Sequence, residues 1–281
     1  MIGTYASDPR HFRIRTVVGG TLFAWRRDLL YVTLLAGLVQ LPVVLIDVWV
    51  FGADGVSFNT DDPAGYWVTA LMIMVTGALT HHLLSGVLEE IEGADRRGEP
   101  KPTLAHLARK LPWGRLVLAD LILAVIVTAG VIALIVPGLI LSALFCLVMP
   151  LLNLERQGLG PTFRRSAQLT RPFLGTVVIV WVSAQFLVDG LTEWLDHLIH
   201  LLGHTFLLDV TAHLFPEMVL LPLGALPAVV MMYQLLDREA ALAADESGTA
   251  VLPTEPLADD GQVDRSGGVE GHGGEGQVRE G

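Results

Sequence analysis

Charge is what this sequence has least of. Asp, Glu, Lys and Arg make up 17% of its 281 residues, against about 25% in a typical soluble domain. The single cysteine, Cys146, excludes an intramolecular disulfide, and no CxxC or Cys/His zinc pattern occurs. There is no Walker motif, no Gly-x-Ser-x-Gly and no nucleic-acid signature, so the common nucleotide, acyl-transfer and DNA-binding classes have no anchor here. The first 28 residues are rich in arginine and lack an isolated apolar core with a small-residue cleavage site, which does not read as a signal peptide.

What is there is apolar. Hydrophobic residues make up 52% of the chain, and mean hydropathy is +0.55. From Leu116 to Leu154 the sequence is almost unbroken, with Asp120, Thr128, Ser142 and Asn153 the main exceptions. That is too long for one soluble core helix and enough for two membrane crossings of about 20 residues each. Pro137-Gly138 is where such a hairpin is expected to turn. Its second arm, Leu139 to Leu154, is short, so full crossing and re-entry both stay open. Four more segments have crossing length or near it: Leu29 to Phe51, Tyr66 to Leu88, Phe173 to Asp189, and Leu214 to Leu236, the last interrupted by Pro216, Pro222 and Pro227.

Charge supplies a topology. Of the 18 Lys and Arg residues, five precede the first crossing and six lie between the second and third. Four lie between the fourth and fifth, and three follow the sixth; the other three connections have none. By the positive-inside rule, both termini are cytoplasmic and the chain crosses six times. Three of these four basic segments, all but the last, also carry an amphipathic pattern. After Asp8-Pro9, residues Ile14, Val17, Val18, Thr21, Leu22 and Trp25 share a face among arginines. Thr103 caps a helix with Leu104, Leu107, Ala108 and Leu111 on one side. From Thr162 to Arg171, Phe163, Ala167 and Thr170 oppose Arg164, Gln168 and Arg171. The expected fold is therefore all-α: residues 1–28 an amphipathic cytoplasmic segment, 29–236 a six-helix transmembrane domain with three cytoplasmic interfacial helices in all, and 237–281 a tail. The tail has 11 acidic and 3 basic residues and almost no large apolar ones. Beyond about Ser247 it cannot offset its ordering entropy and is expected to be disordered.

Three units share one plan: a basic amphipathic helix, a crossing, and a return that ends in Leu plus an acid (Leu88-Glu89, Leu154-Glu155, Leu236-Asp237). A triplication and a simple series of membrane hairpins both fit. The stretch Pro150-Leu151-Leu152-Asn153-Leu154-Glu155-Arg156-Gln157-Gly158, followed by Thr162-Phe163-Arg164-Arg165-Ser166-Ala167-Gln168-Leu169-Thr170-Arg171, resembles a bacterial integral membrane family. That family includes the membrane domain found beside some glycerophosphodiester phosphodiesterases. Gly93-Ala94-Asp95-Arg96-Arg97-Gly98 and Tyr233-Gln234-Leu235-Leu236-Asp237-Arg238 also look alike, and the resemblance covers about Phe12 to Glu239. It implies a membrane protein and no phosphodiesterase activity: the family's catalysis belongs to a separate barrel of about 250 residues with a His-Arg pair, and no His-Arg dipeptide occurs here.

Three constellations could carry chemistry. Glu193, His197, His200 and His204 fall on one helical face at spacings of 4, 3 and 4. They suit a Zn²⁺ site, a pH sensor, or simply the polar side of an interfacial helix. His81 and His82 lie inside a crossing, where ionisable groups are costly. His82 and Glu89 are seven residues apart on one face, which suits a proton relay or a histidine hydrogen-bonded in the bundle. Pro42, Pro137, Pro150, Pro222 and Pro227 mark either broken helices around a transport site or kinked packing. Arg109, Lys110, Arg115, Arg164, Arg165 and Arg171 form the expected basic collar facing an anionic leaflet. The leading expectation is a non-enzymatic bacterial plasma-membrane scaffold or lipid-interacting protein without a cofactor, whose partners are anionic lipid and a membrane or cytoplasmic protein. A transporter or channel for a small or amphiphilic substrate is the alternative, and a metal-dependent outer activity the third.

Overall fold

In the computed structural model, residues 12–51, 81–201 and 206–247 are described. Among these, every regular element is helical. The helices are α1 (Ile14–Arg27), α2 (Leu29–Phe51), α3 (residues 81–96), α4 (Leu104–Lys110), α5 (Trp113–Ala133), α6 (Ile135–Phe145), α7 (Val148–Glu155), α8 (Leu159–Thr170), α9 (Leu174–His200) and α10 (Phe206–Glu246). Four helical stretches are long and apolar enough to cross a membrane: Trp113–Ala133, Ile135–Glu155, Leu159–Ile199 and Leu214–Glu246. Leu29–Leu41 is a shorter apolar helix. The Asp8-Pro9 helix start and most of the crossing expected at Tyr66–Leu88 lie outside the described residues.

The central hairpin turns earlier than expected. A single extended residue, Leu134 (φ −166°, ψ 139°), separates α5 from α6. Pro137 therefore sits in the first turn of α6, where its missing N–H has no intrahelical partner to lose. Moving the turn gives the return arm the 21 residues of Ile135–Glu155 rather than 16, the same length as α5. The two arms close on glycine. A Cβ on Gly130 would lie 3.0 Å from the Gly138 Cα, and one on Gly138 would lie 2.7 Å from the Val131 backbone nitrogen.

Prolines near a helix break and inside a long helix leave carbonyls that neighbouring side chains satisfy. Pro150 cannot donate to the Cys146 carbonyl, and the return arm breaks into α6 and α7 at Cys146–Leu147. The break deprives the Leu144 carbonyl of its helical donor. Ser166 Oγ donates to it at 2.9 Å and Thr170 Oγ1 at 3.1 Å. The Ser-x-x-x-Thr spacing of α8 thus satisfies a carbonyl opened by a break in another helix. In α10, Pro216, Pro222 and Pro227 lie inside one continuous 41-residue helix. Three residues before Pro222, the Val219 carbonyl takes a bond from Trp25 Nε1 at 3.1 Å. Three residues before Pro227, the Gly224 carbonyl takes one from Gln185 Nε2 at 3.1 Å. Neighbouring side chains satisfying backbone groups near a kink are what lets a membrane helix tolerate proline.

The helix of the segment expected to cross at Phe173–Asp189 does not stop at Gly190, since α9 runs through it to His200. The helix of the expected sixth crossing continues beyond Asp237 to Glu246, and the compact unit of the chain closes at Ala243. The core lies where α3, α5, α7 and the second half of α10 meet, around Leu84, Leu88, Leu116, Met149, Leu152, Leu226 and Met231, all fully buried.

Candidate functional site

Charged residues gather where α1, α3 and α7 end, beside the Asp237–Glu239 stretch of α10. Arg27, closing α1, reaches Asp28 (2.7 Å), Glu92 (2.9 Å) and Asp95 (2.6 Å). Lys101 also pairs with Asp28, and Lys110 with Glu90. Arg96 binds Asp237 at 3.1 Å and lies 4.0 Å over the Tyr233 ring. Arg165 joins Glu155 (3.3 Å) to Glu239, so α7, α8 and α10 share one guanidinium. Partly exposed pairs of this kind contribute about 0–1 kcal/mol each. Their larger effect is to neutralise the acids of this end and to fix which arginines stay free.

Beneath the pairs is a buried junction. Glu89 accepts a hydrogen bond from Tyr233 Oη at 2.9 Å and another from Asn153 Nδ2. The three residues come from α3, α10 and α7, and all three are buried. Gly93, one turn along α3, leaves room for the phenol: its Cβ would stand 2.9 Å from Tyr233 Oη. Burial raises the Glu89 carboxyl above the usual carboxylate range, opposed by these two hydrogen bonds. Burial raises Glu92 too, against the pull of Arg27.

The expected basic collar divides. Lys110 and Arg165 turn into the acid network and are not free, a correction whose cause is the proximity of Glu90, Glu155 and Glu239. Arg109, Arg115, Arg164 and Arg171 are exposed and make no ion pair among the described residues. The two helices that carry Arg109 and Arg115 also expose apolar side chains, Leu104 on α4 and Val117 and Leu118 on α5. The α1 face also divides: Val17, Thr21 and Ala24 are buried while Ile14, Val18 and Leu22 are exposed. Gly20 packs against Val230, so α1 is docked on α10.

The histidines are not brought together with Glu89. His82 is buried and stacks on Trp181 at 5.6 Å, and Trp181 Nε1 donates to Ser142 Oγ at 2.9 Å. His81 lies against Gly224. Between His82 and Glu89 there are about two helical turns, roughly 10 Å, holding one hydroxyl, Ser85, which donates to the His82 carbonyl. On α9, Glu193 and His197 are exposed one turn apart, His200 ends the same helix, and His204 lies outside the described residues. Among the described residues no group of three His, Cys, Asp or Glu could hold a metal ion. Asp120, one of the polar exceptions in the long apolar stretch, is fully buried, with neither carboxylate oxygen hydrogen-bonded among the described residues.

Sequence reading passed over Asn153, Trp181, Gln185 and Tyr233 as site residues. The available signal was their polarity within apolar runs, and for Tyr233 and Asn153 their places in the two motif stretches. The geometry describes an all-helical protein with four helices long and apolar enough to span a membrane and one charged end. No family model, curated protein or solved structure matches the chain.

Proposed function

We propose that this protein is a non-enzymatic six-crossing scaffold of a bacterial plasma membrane that collects anionic lipid on its charged face, with both termini cytoplasmic. One observation carries the reading: Arg109, Arg115, Arg164 and Arg171 are exposed and make no ion pair among the described residues, while Asp28, Glu90, Asp95 and Glu239 pair with other cations, and the helices that carry Arg109 and Arg115 also expose Leu104, Val117 and Leu118. That pairing of free guanidinium and bare hydrocarbon suits the boundary between phosphate headgroups and acyl chains. In the topology, α2 and the crossing that ends in α3 add two spans to the four long apolar ones. The kinks that would favour a transporter have a protein donor at Val219 and Gly224, which supports kinked packing over an ion site. Kinship with the membrane domain beside the phosphodiesterases stays a proposal and assigns no residue a role.

Two experiments test this. Reporters fused after Gly55, Arg97, Arg156, His204 and Glu246 are expected to read periplasmic only at Gly55 and His204. A periplasmic reading at Arg97 or Arg156 rejects the topology. Each basic residue near an anionic leaflet contributes about 1 kcal/mol. Changing Arg109, Arg115, Arg164 and Arg171 together to Gln is therefore expected to cut co-purified anionic lipid several-fold, with zwitterionic lipid and melting temperature unchanged. Unchanged anionic lipid in a folded variant defeats the scaffold reading.

A further inference from the structure

At the other end of the bundle, α6 and α9 part to form a cleft of about 180 Å³ lined by Leu139, Ser142, Trp181, Val182, Gln185, Phe186 and Asp189. Its polar groups are unequally occupied. Ser142 Oγ accepts from the Trp181 indole, and Gln185 Nε2 is spent on the Gly224 carbonyl. Asp189, one turn after Gln185 on the same face of α9, is exposed and has no hydrogen bond or ion pair among the described residues. The amide oxygen of Gln185 and the Asp189 carboxylate are both acceptors. Phe186, exposed between them, is an aromatic wall. Leu139 and Val182 supply hydrocarbon.

An acceptor pair, a carboxylate and an aromatic ring at the mouth of an apolar cleft together select a cation with an alkyl body. An anion would meet Asp189 and no compensating cation from the two helices that line the cleft, because α9 and α6 lack Lys and Arg. We propose that this cleft binds an amine-headed membrane lipid, its ammonium at Asp189 and Gln185 and the start of its chain between Leu139 and Val182. The volume equals that of roughly six water molecules, enough for the head and first methylenes, and the rest of the chain extends away from the cleft. This site is independent of the arginine face: it uses other helices and selects the opposite charge.

The test is binding of dodecylamine, dodecanol and dodecanoate to the full chain in nanodiscs of zwitterionic lipid near neutral pH, read by native mass spectrometry. Dodecylamine is expected to bind at least tenfold tighter than dodecanol, with dodecanoate weakest. Asp189→Asn is expected to remove the amine preference and leave dodecanol binding unchanged. Glu193→Gln, which removes an exposed carboxylate one turn further along α9, is expected to keep the preference. Leu139→Trp, which fills the cleft, is expected to weaken both amine and alcohol. Equal binding of amine and alcohol by the unaltered protein overturns the proposal. So does an equal loss in the Glu193 variant, which would reduce the effect to general surface charge, or full amine binding by a folded Leu139→Trp protein.

Discussion

Gly138→Ala is expected to unseat the central hairpin and to lower the melting temperature in detergent more than any other single methyl added to this protein. The new Cβ would stand 2.7 Å from the Val131 backbone nitrogen and 2.9 Å from its Cα. Backbone atoms cannot rotate aside as a side-chain tip can. The helices must separate, and with them go contacts along α5 and α6. Overpacking of this kind costs about 1–3 kcal/mol where some relaxation is available, and here the opposing wall is another helix backbone. Gly160→Ala is the control. It lies in α8 with open space around it, and alanine in an exposed helix position gains up to about 1 kcal/mol over glycine. Melting of the Gly138 variant at the wild-type temperature would show that the hairpin is looser than its geometry.

Glu89→Leu is the second large loss expected. It leaves Tyr233 Oη and Asn153 Nδ2 buried without their acceptor, at about 1–3 kcal/mol for each orphaned group. Glu89→Gln is expected to be tolerated. Its amide oxygen can take the phenol proton, and its NH₂ can face Asn153 once that amide flips to present Oδ1, which has no hydrogen-bond partner. The pair of variants also sets a pH test. Burial raises the Glu89 carboxyl in the folded state above its value of 4.5 in the unfolded chain. Its contribution is therefore complete below the unfolded pKa and is lost as pH rises through the folded one. Carboxylates paired with arginine act in the opposite sense, so the readout is the difference between wild type and Glu89→Gln. The stability of the wild type relative to the variant is expected to fall as pH rises above about 4.5. A difference that stays flat, or rises, would mean that Glu89 is solvated.

Much of the helical plan was legible because each signal is local. Thr103 caps α4 as its position before a periodic apolar stretch implies, its Oγ1 accepting from the His106 N–H at 3.2 Å. The apolar lengths of α5, α9 and α10 follow from composition alone. The hairpin turn was misplaced because Pro-Gly is a strong turn signal, while Leu134 carries none. What decides for Leu134 is the close approach of Gly130 to Gly138, a contact between helices. The amphipathic faces were legible as patterns but not as environments. Periodicity tells which residues share a side of α1, yet Val17 packs on protein while Val18 beside it does not. Hydrophobicity cannot distinguish another helix from lipid.

The same boundary runs through the site. The sequence by itself determined that the chain is helical and apolar, that its cations fall in alternate connections, and that an acidic tail follows the body. These are properties of composition and order along the chain. Only the tertiary structure decided which cations are free. Arg164 and Arg165 are neighbours in sequence, but successive helical residues point about 100° apart. Arg165 meets Glu155 and Glu239, and Arg164 faces outward. Likewise Glu89, Asn153 and Tyr233 are separated by 64 and 80 residues, and Trp25 reaches a carbonyl 194 residues away. Pairings over such distances are set by how helices pack, because a carboxylate, an amide or a proline-opened carbonyl specifies the chemistry of its partner and leaves the partner's position to the fold.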